Sequence, residues 1–438
     1  MATTDLARAR IGDTYPIGTR IGESGSLEVG GCDLAELAEQ FGTPAYIYAE
    51  DDLRTRARTL RDAVDRLAPG GEVGFSIKPL PCRAVLRLFS SEGLRISVAS
   101  EGELRLALTA GVEPAQITLH GPASTPGLLD LACEVGVGRL VVDGLDVAEL
   151  AERAAAAHGR SWDVLLRVVA DVPAAANTRA DPDTGQIDLK AGVPIHRGEA
   201  AAAVARLRDS SHLRLCGLHQ HYSEMLIDAR FAALGRLADL VAETGMACEV
   251  ISAGGGPAVE PQLGGPGPDI AGHVAETARR LDSEMRRVGL PMPRLGFEPG
   301  ASLVGRGGVI LYRVVGVRRG VRSYAVLDGG ITTDACPLLL GRQRSAAIVD
   351  RPLESGGRVS LAGCSSELGD VPVWDVELPD PQPGDLVMIP AAGPYAFALS
   401  SRFEMAPRAP VVLCRDGRAR LVVRRESWDD LFAGDLGG

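Results

Sequence analysis

From about residue 45 to residue 310, short apolar runs alternate with amphipathic stretches, which predicts strands and helices in regular succession. The runs GEVGFSIK (71–78), LRISVAS (94–100), QITLHG (116–121) and RLVVDG (139–144) read as strands. So do DVLLRVVA (163–170), LRLCGLHQHY (213–222), CEVISAGGG (248–256) and RLGFEPG (294–300). Between them lie helical stretches such as DVAELAERAAAAHG, with Val147, Leu150 and Ala154 at helical spacing. Eight strands, each joined to the next by a helix, predict a parallel (β/α)₈ barrel, with a doubly wound sheet as the alternative. Polar and glycine-rich residues just past the strand ends (Lys78, Ser100, His221, Gly254 to Gly256, Glu298) favour the barrel, where such ends converge on one face.

After about residue 310 the pattern changes to alternating, β-branched segments: GVILYRVVGVRR, SYAVLDGG, RVSLAGC, GDLVMIPAA and APVVLCRDG. Pro383-Gly384 and Asp416-Gly417 punctuate them as turns, so an antiparallel β domain is expected. The organisation predicted is an N-terminal segment, 1–44, lending the strand SLEVGG to the β domain, then a barrel over 45–310 and the β domain over 311–438. The Gly/Pro-rich stretch 253–269 is expected to be a long barrel loop, because barrel pattern resumes after it.

Composition narrows the function classes. Apolar residues make up 45% and charged residues 24% of 438 residues, an ordinary globular balance with length for two or three domains. A net charge of −11 argues against nucleic acid or anionic membrane as the main partner. No apolar run reaches the roughly 18 residues that span a bilayer, and the first residues lack a signal-peptide core. Cys32, Cys82, Cys133, Cys216, Cys248, Cys336, Cys364 and Cys414 form no CxxC pair, which suits reduced thiols in a cytoplasm. Most are expected to be small core residues.

Candidate chemistry gathers at the strand ends. A strand-end lysine is most often a solvated surface residue, but a partly desolvated one sheds its proton and can form a Schiff base. Gly254, Gly255 and Gly256 follow the seventh strand, where a barrel often holds phosphate on bare backbone amides. A glycine triplet alone would more often be a flexible loop. A lone strand histidine such as His221 or His219 is usually a hydrogen-bonded core residue, and a lone Glu298 a rim ion pair.

Seven further segments change these readings together. FSIKPLPCRAVLRLFSSEGLRISVASEGELRLALTAGV (75–112), GLHQHYS (217–223), GGG (254–256), EPG (298–300), DGG (328–330), CSSELGD (364–370) and GPY (393–395) occur in this order. They resemble the fold-type III pyridoxal-phosphate (PLP) decarboxylases, the group of diaminopimelate and ornithine decarboxylases, and the diaminopimelate branch above all. DLAELAEQFGTPAYIYAEDDLRTR (33–56) is similar to that branch's entry into the barrel. The resemblance implies an alanine-racemase-like fold and PLP bound through Lys78. It implies His221 stacked on the cofactor ring, Glu298 against the pyridine nitrogen and the glycine triplet with Tyr395 on the phosphate. Arg167 and Glu103 match residues lining the family's site. It further implies a cytoplasmic homodimer with shared sites and a small amino-acid substrate.

Several positions depart from the family pattern. Ala301 stands where an arginine usually follows EPG, Cys336 replaces an arginine before Pro337, and Leu340 replaces a tyrosine. Ser97 replaces an aspartate, Ser223-Glu224 a glycine-serine, and Ala191 a phenylalanine after Lys190. Aligned without gaps, the family's catalytic cysteine falls on Ser366 rather than Cys364, with the acidic neighbour kept as Glu367. A hydroxyl is a far weaker acid than a thiol, so proton return to the substrate carbon is expected to differ. Loss of two arginines removes bidentate carboxylate anchors, which disfavours diaminopimelate and favours a monocarboxylic, modified or carrier-tethered amino acid. Glu367 would suit a distal amine, and Arg342 and Arg344 are candidate substitute anchors. Racemisation, another fate of the decarboxylated intermediate, or a non-catalytic relative are the competing readings. Glu298 argues against the first of these, and retention of Lys78, His221, Glu298 and Tyr395 against the last.

Overall fold

The computed structural model describes residues 14–121, 124–170, 172, 191–222, 227–257, 269–341 and 344–437. Of the positions singled out above, Lys190, Ser223, Glu224 and Arg342 lie outside them, as does 258–268 of the long loop. The described chain divides into two compact units, 57–257 with 269–300, and 14–56 with 301–437.

The first unit is the expected barrel. Its strands are β1 (Glu72–Ser76), β2 (Arg95–Val98), β3 (Ile117–Leu119), β4 (Arg139–Val142), β5 (Trp162–Val169), β6 (Leu213–His219), β7 (Val250–Ser252) and β8 (Arg294–Phe297). Every neighbouring pair is parallel, and β8 pairs with β1 to close the ring. Helices follow the strands because their apolar positions recur at helical spacing; helix Ile270–Arg287 buries Val274, Ala278, Leu281 and Met285 on one face.

Alternation along these strands layers the barrel interior. Glu72, Arg95 and Arg139 lie at the N-terminal end, where Arg139 and Arg294 both donate to Glu72. Val141, Leu165, Cys216 and Val250 form a buried cluster among the strands. Stepping on by two residues from Thr118, Val141, Leu165, Gly217, Ser252 and Gly296 reaches His120, Asp143, Arg167, His219, Gly254 and Glu298 at the C-terminal mouth. The reading of Lys78 as ending a strand needs a small correction. β1 stops at Ser76, and Lys78 lies two residues on, in the turn before Pro79.

In the second unit the long strand Gly308–Arg318 is central. It pairs antiparallel with Ala45–Ala49, Tyr324–Leu327 and Leu386–Ile389. Asp416 and Gly417 both have positive φ and close the hairpin Val411–Arg415/Arg418–Val423, as an Asp-Gly pair should. Two pairings are parallel, so the sheet is antiparallel only in the main. The expected extra strand touches the β domain's backbone through Leu27 N and Val349 O at 2.9 Å and otherwise pairs elsewhere. Gly30 and Gly31 take positive φ and turn the chain straight back, so Leu27–Val29 pairs locally in a three-stranded sheet with Arg20–Ile21 and Cys32–Asp33. Leu27 and Val29 still pack in one apolar cluster with Ala45, Ile47, Val309 and Leu311.

Candidate active site

Glu298 anchors the barrel mouth. Its backbone N–H donates to Gly254 O at 2.8 Å, and its two carboxylate oxygens lie 3.3 Å from different histidines, His120 Nε2 and His219 Nε2. Burial pushes this carboxyl upward, but His120 and His219 outweigh it and hold the group well below the usual range. His219 is buried and its pKa falls to about 4, from burial first, opposed by the bond to Glu298. A neutral His219 that donates from Nε2 leaves Nδ1 as an acceptor.

Lys78 presents surface in this mouth, while protein crowds it on its other sides. That crowding lowers its ammonium pKa; Glu103 pulls it back up, Arg167 lowers it and Glu298 raises it. Glu103 is placed by the helix that follows β2. Ser100 caps that helix by accepting from Glu103 N at 3.2 Å, and the Glu103 carboxylate accepts from Ala99 N at 2.7 Å. Burial raises the Glu103 pKa, against the Ala99 bond and the Lys78 charge. His221 lies beyond the end of β6 with surface open to the mouth, and crowding by the protein around it, then the charges of Lys78 and Arg167, hold it well below its ordinary pKa. Arg167 Nη1 lies 3.4 Å from Asp143 Oδ1.

The first glycine of the triplet is required by space. Gly254 has a φ of +77°, and a Cβ there would sit 2.5 Å from Gln220 O and 3.3 Å from the His221 Cα. The structure thus brings Lys78, Glu103, Arg167, His219, His221, Gly254 to Gly256 and Glu298 into one barrel unit. Residues 50–305 match the family model of the pyridoxal-dependent decarboxylases, pyridoxal binding domain.

The chain belongs to the pyridoxal-dependent decarboxylases. It is 41% identical over 428 residues to a diaminopimelate decarboxylase of Actinosynnema pretiosum subsp. auranticum, covering 95% of this chain and 94% of that one. The identity is 35% over 439 residues to the diaminopimelate decarboxylase of Mycobacterium bovis, with 96% and 97% covered. A crystal structure of diaminopimelate decarboxylase from M. jannaschii in complex with L-lysine shares the fold. Its TM-score is 0.87 at 24% identity, over 98% of this chain and 99% of that one. This is a PLP-dependent amino-acid decarboxylase of fold type III.

The barrel mouth fits that cofactor. Ser97 Oγ and His219 Nδ1 are buried without a hydrogen-bond partner, orphaned polar atoms that an apolar ligand would not satisfy. The bare glycine loop beside His221 offers backbone to a phosphate, and the ionised Glu298 offers an acceptor to a ring N–H. His120 and Asp143 were missed in the sequence, although both end segments read as strands, QITLHG and RLVVDG. Their signal was position two residues past an interior strand residue.

The remaining site candidates belong to the second unit. Asp370 ties its motifs together, accepting from Ile331 N at 2.7 Å and Ser365 Oγ at 2.6 Å. A Cβ at Gly330 or Gly363 would collide with that carboxylate, which explains the second glycine of DGG and the glycine that opens GCSSELGD. Ser366 and Glu367 are exposed on the loop so formed. Ser366 donates through both N, at 3.0 Å, and Oγ to the Glu404 carboxylate, a partner unseen in the sequence. Cys364 is exposed, but protein crowds one side of its thiol and Asp370 lies near, which together raise its pKa, so it is no readier acid than an ordinary cysteine. Cys336 is buried, its thiol directed to Pro394 O, whereas Leu340 is half exposed. Tyr395 adopts a positive φ of 69°. Arg344 is not a mobile substitute for the missing arginines. Its side chain is fully buried, paired with Asp334 at 3.0 Å and donating to Ala391 O at 2.9 Å.

Proposed function

We propose that Lys78 carries the PLP and that this enzyme decarboxylates an α-amino acid whose distal end is not a carboxylate. The observation that carries the first half is the use of basic residues. Of 46 lysines and arginines only two are lysine, Lys78 and Lys190, and one of them stands at the barrel mouth. A chain that uses arginine for nearly every cation keeps lysine where a nucleophilic amine is needed, because guanidinium cannot lose its proton.

Each residue then has a task. Lys78, its pKa lowered by the protein crowding it, presents a larger fraction of neutral amine at neutral pH. His221, neutral, offers a flat face for stacking, and the Gly254–Gly256 amides take the phosphate with the Tyr395 hydroxyl. Glu298, kept ionised by His120 and His219, holds a proton at the ring nitrogen. Bound PLP supplies the electron sink for the bonding pair that departing carbon dioxide leaves behind. Ser366, held by Glu404, returns a proton to the substrate carbon, and Glu367 receives a distal amine.

The substrate reading rests on Ala301, Cys336 and Leu340, with Arg344 committed to Asp334. An unpaired distal carboxylate would cost several kcal/mol to bury. Diaminopimelate itself is the second reading, favoured by the names of the relatives at 41% and 35% identity. We also propose a cytoplasmic two-fold dimer. Leu338, Leu339, Leu340, Leu368 and Met405 are exposed around Ser366 and Glu404, an apolar surface suited to a second copy.

Borohydride reduction followed by peptide mapping tests the cofactor assignment. The label should appear on the peptide containing Lys78, and Lys78→Ala should remove it with the fold intact by circular dichroism. Label on Lys190, or none, overturns the assignment.

A further inference from the structure

We propose that Arg230 is the positioning residue of the phosphate site, a buried guanidinium that aims the glycine loop and supplies its positive charge from behind. This rests on the reading that the loop holds the PLP phosphate. Arg230 lies in the first turns of helix Ile227–Thr244 and is only 1% exposed. Its Nη1 donates to Gly255 O at 3.0 Å and to Gly256 O at 3.1 Å, and Nη2 donates to Tyr222 O at 3.3 Å. Its own carbonyl accepts from Gln220 Nε2 at 3.2 Å. Gln220 and Tyr222 flank His221, so one side chain fixes the spacing between the stacking histidine and the loop.

The contacts also set direction. In a planar trans peptide the N–H points opposite to the preceding C=O. With Gly254 O accepting from Glu298 N, the Gly255 N–H is turned away from Glu298 N. With Gly255 O on the guanidinium, the Gly256 N–H is turned away from Arg230. Two consecutive amides are thereby oriented by their own carbonyls, the arrangement in which bare backbone binds an anion. Arginine suits the task because its fork reaches several carbonyls at once while staying charged, which an ammonium cannot do. His273 Nε2 lies 3.1 Å from Nη1, and burial and then Arg230 lower its pKa to about 4, so at neutral pH it is uncharged and can accept from the guanidinium.

The test is phosphate discrimination in the full-length apo chain, read as affinity for PLP and for pyridoxal, which lacks the phosphate. Wild type should prefer PLP. Arg230→Gln should weaken PLP by about tenfold or more and leave pyridoxal within about twofold. Arg230→Lys, which keeps the charge without the fork, should fall between them, and it carries the comparison if the glutamine variant does not fold. Equal weakening of both ligands means a merely structural role and overturns the proposal, as does an unchanged ratio. A wild-type chain that binds neither ligand instead sinks the cofactor reading itself.

Discussion

Glu298 must remain ionised in a buried place, and the two histidines facing its oxygens do that work. The arrangement has a consequence for stability. His219 and His273 both have folded pKa values of about 4 against an ordinary 6.5. A depressed histidine pKa means that the unfolded chain binds more protons below pH 6.5, so stability is complete above that pH. It falls as pH drops from about 6.5 towards 4, where the loss levels off. Between pH 7 and pH 5 each histidine should cost about 2 kcal/mol. Urea unfolding at these two pH values should show the loss, and His219→Asn should remove about half of this histidine contribution. An unfolding midpoint independent of pH in this window would contradict the burial of neutral imidazoles.

At the scale of elements, the barrel was legible because eight apolar runs alternate with helical pattern, and each of the eight became a strand of the closed ring. Lys78, His221, Glu298 and the glycine triplet were legible for the same reason, since each sits at or just past a run's end. What the pattern could not convey was partnership. AYIYA (45–49) falls within the expected barrel, 45–310, but nothing local says that it pairs instead with Val309 and Leu311 of the second unit. Arg230 is one arginine among 44 at the start of a polar helix, and only the fold brings Gly255 and Gly256 to it. The Ser366–Glu404 contact spans 38 residues between two loops, with no periodicity to announce it. Arg344 looked free in sequence because its acceptor Asp334 lies ten residues back, across a turn.

Two commitments concern the whole molecule. The first is that the exposed apolar surface around Ser366 is covered by a second copy, so that each site draws on two chains. Mixing Lys78→Ala with Glu367→Gln should then restore part of the activity that each lacks alone, about a quarter if one intact site forms per heterodimer and chains mix freely. An active monomer, or no recovery from any mixture, would contradict it. The second commitment is the central one, that a decarboxylase with the family's cofactor machinery acts on a substrate without a distal carboxylate. Carbon dioxide release from meso-diaminopimelate, lysine, ornithine and bulkier monocarboxylic amino-acid derivatives, measured side by side on the PLP-loaded enzyme, tests it most directly. The account predicts turnover of a monocarboxylic substrate well above that of diaminopimelate, and efficient release from diaminopimelate would contradict it.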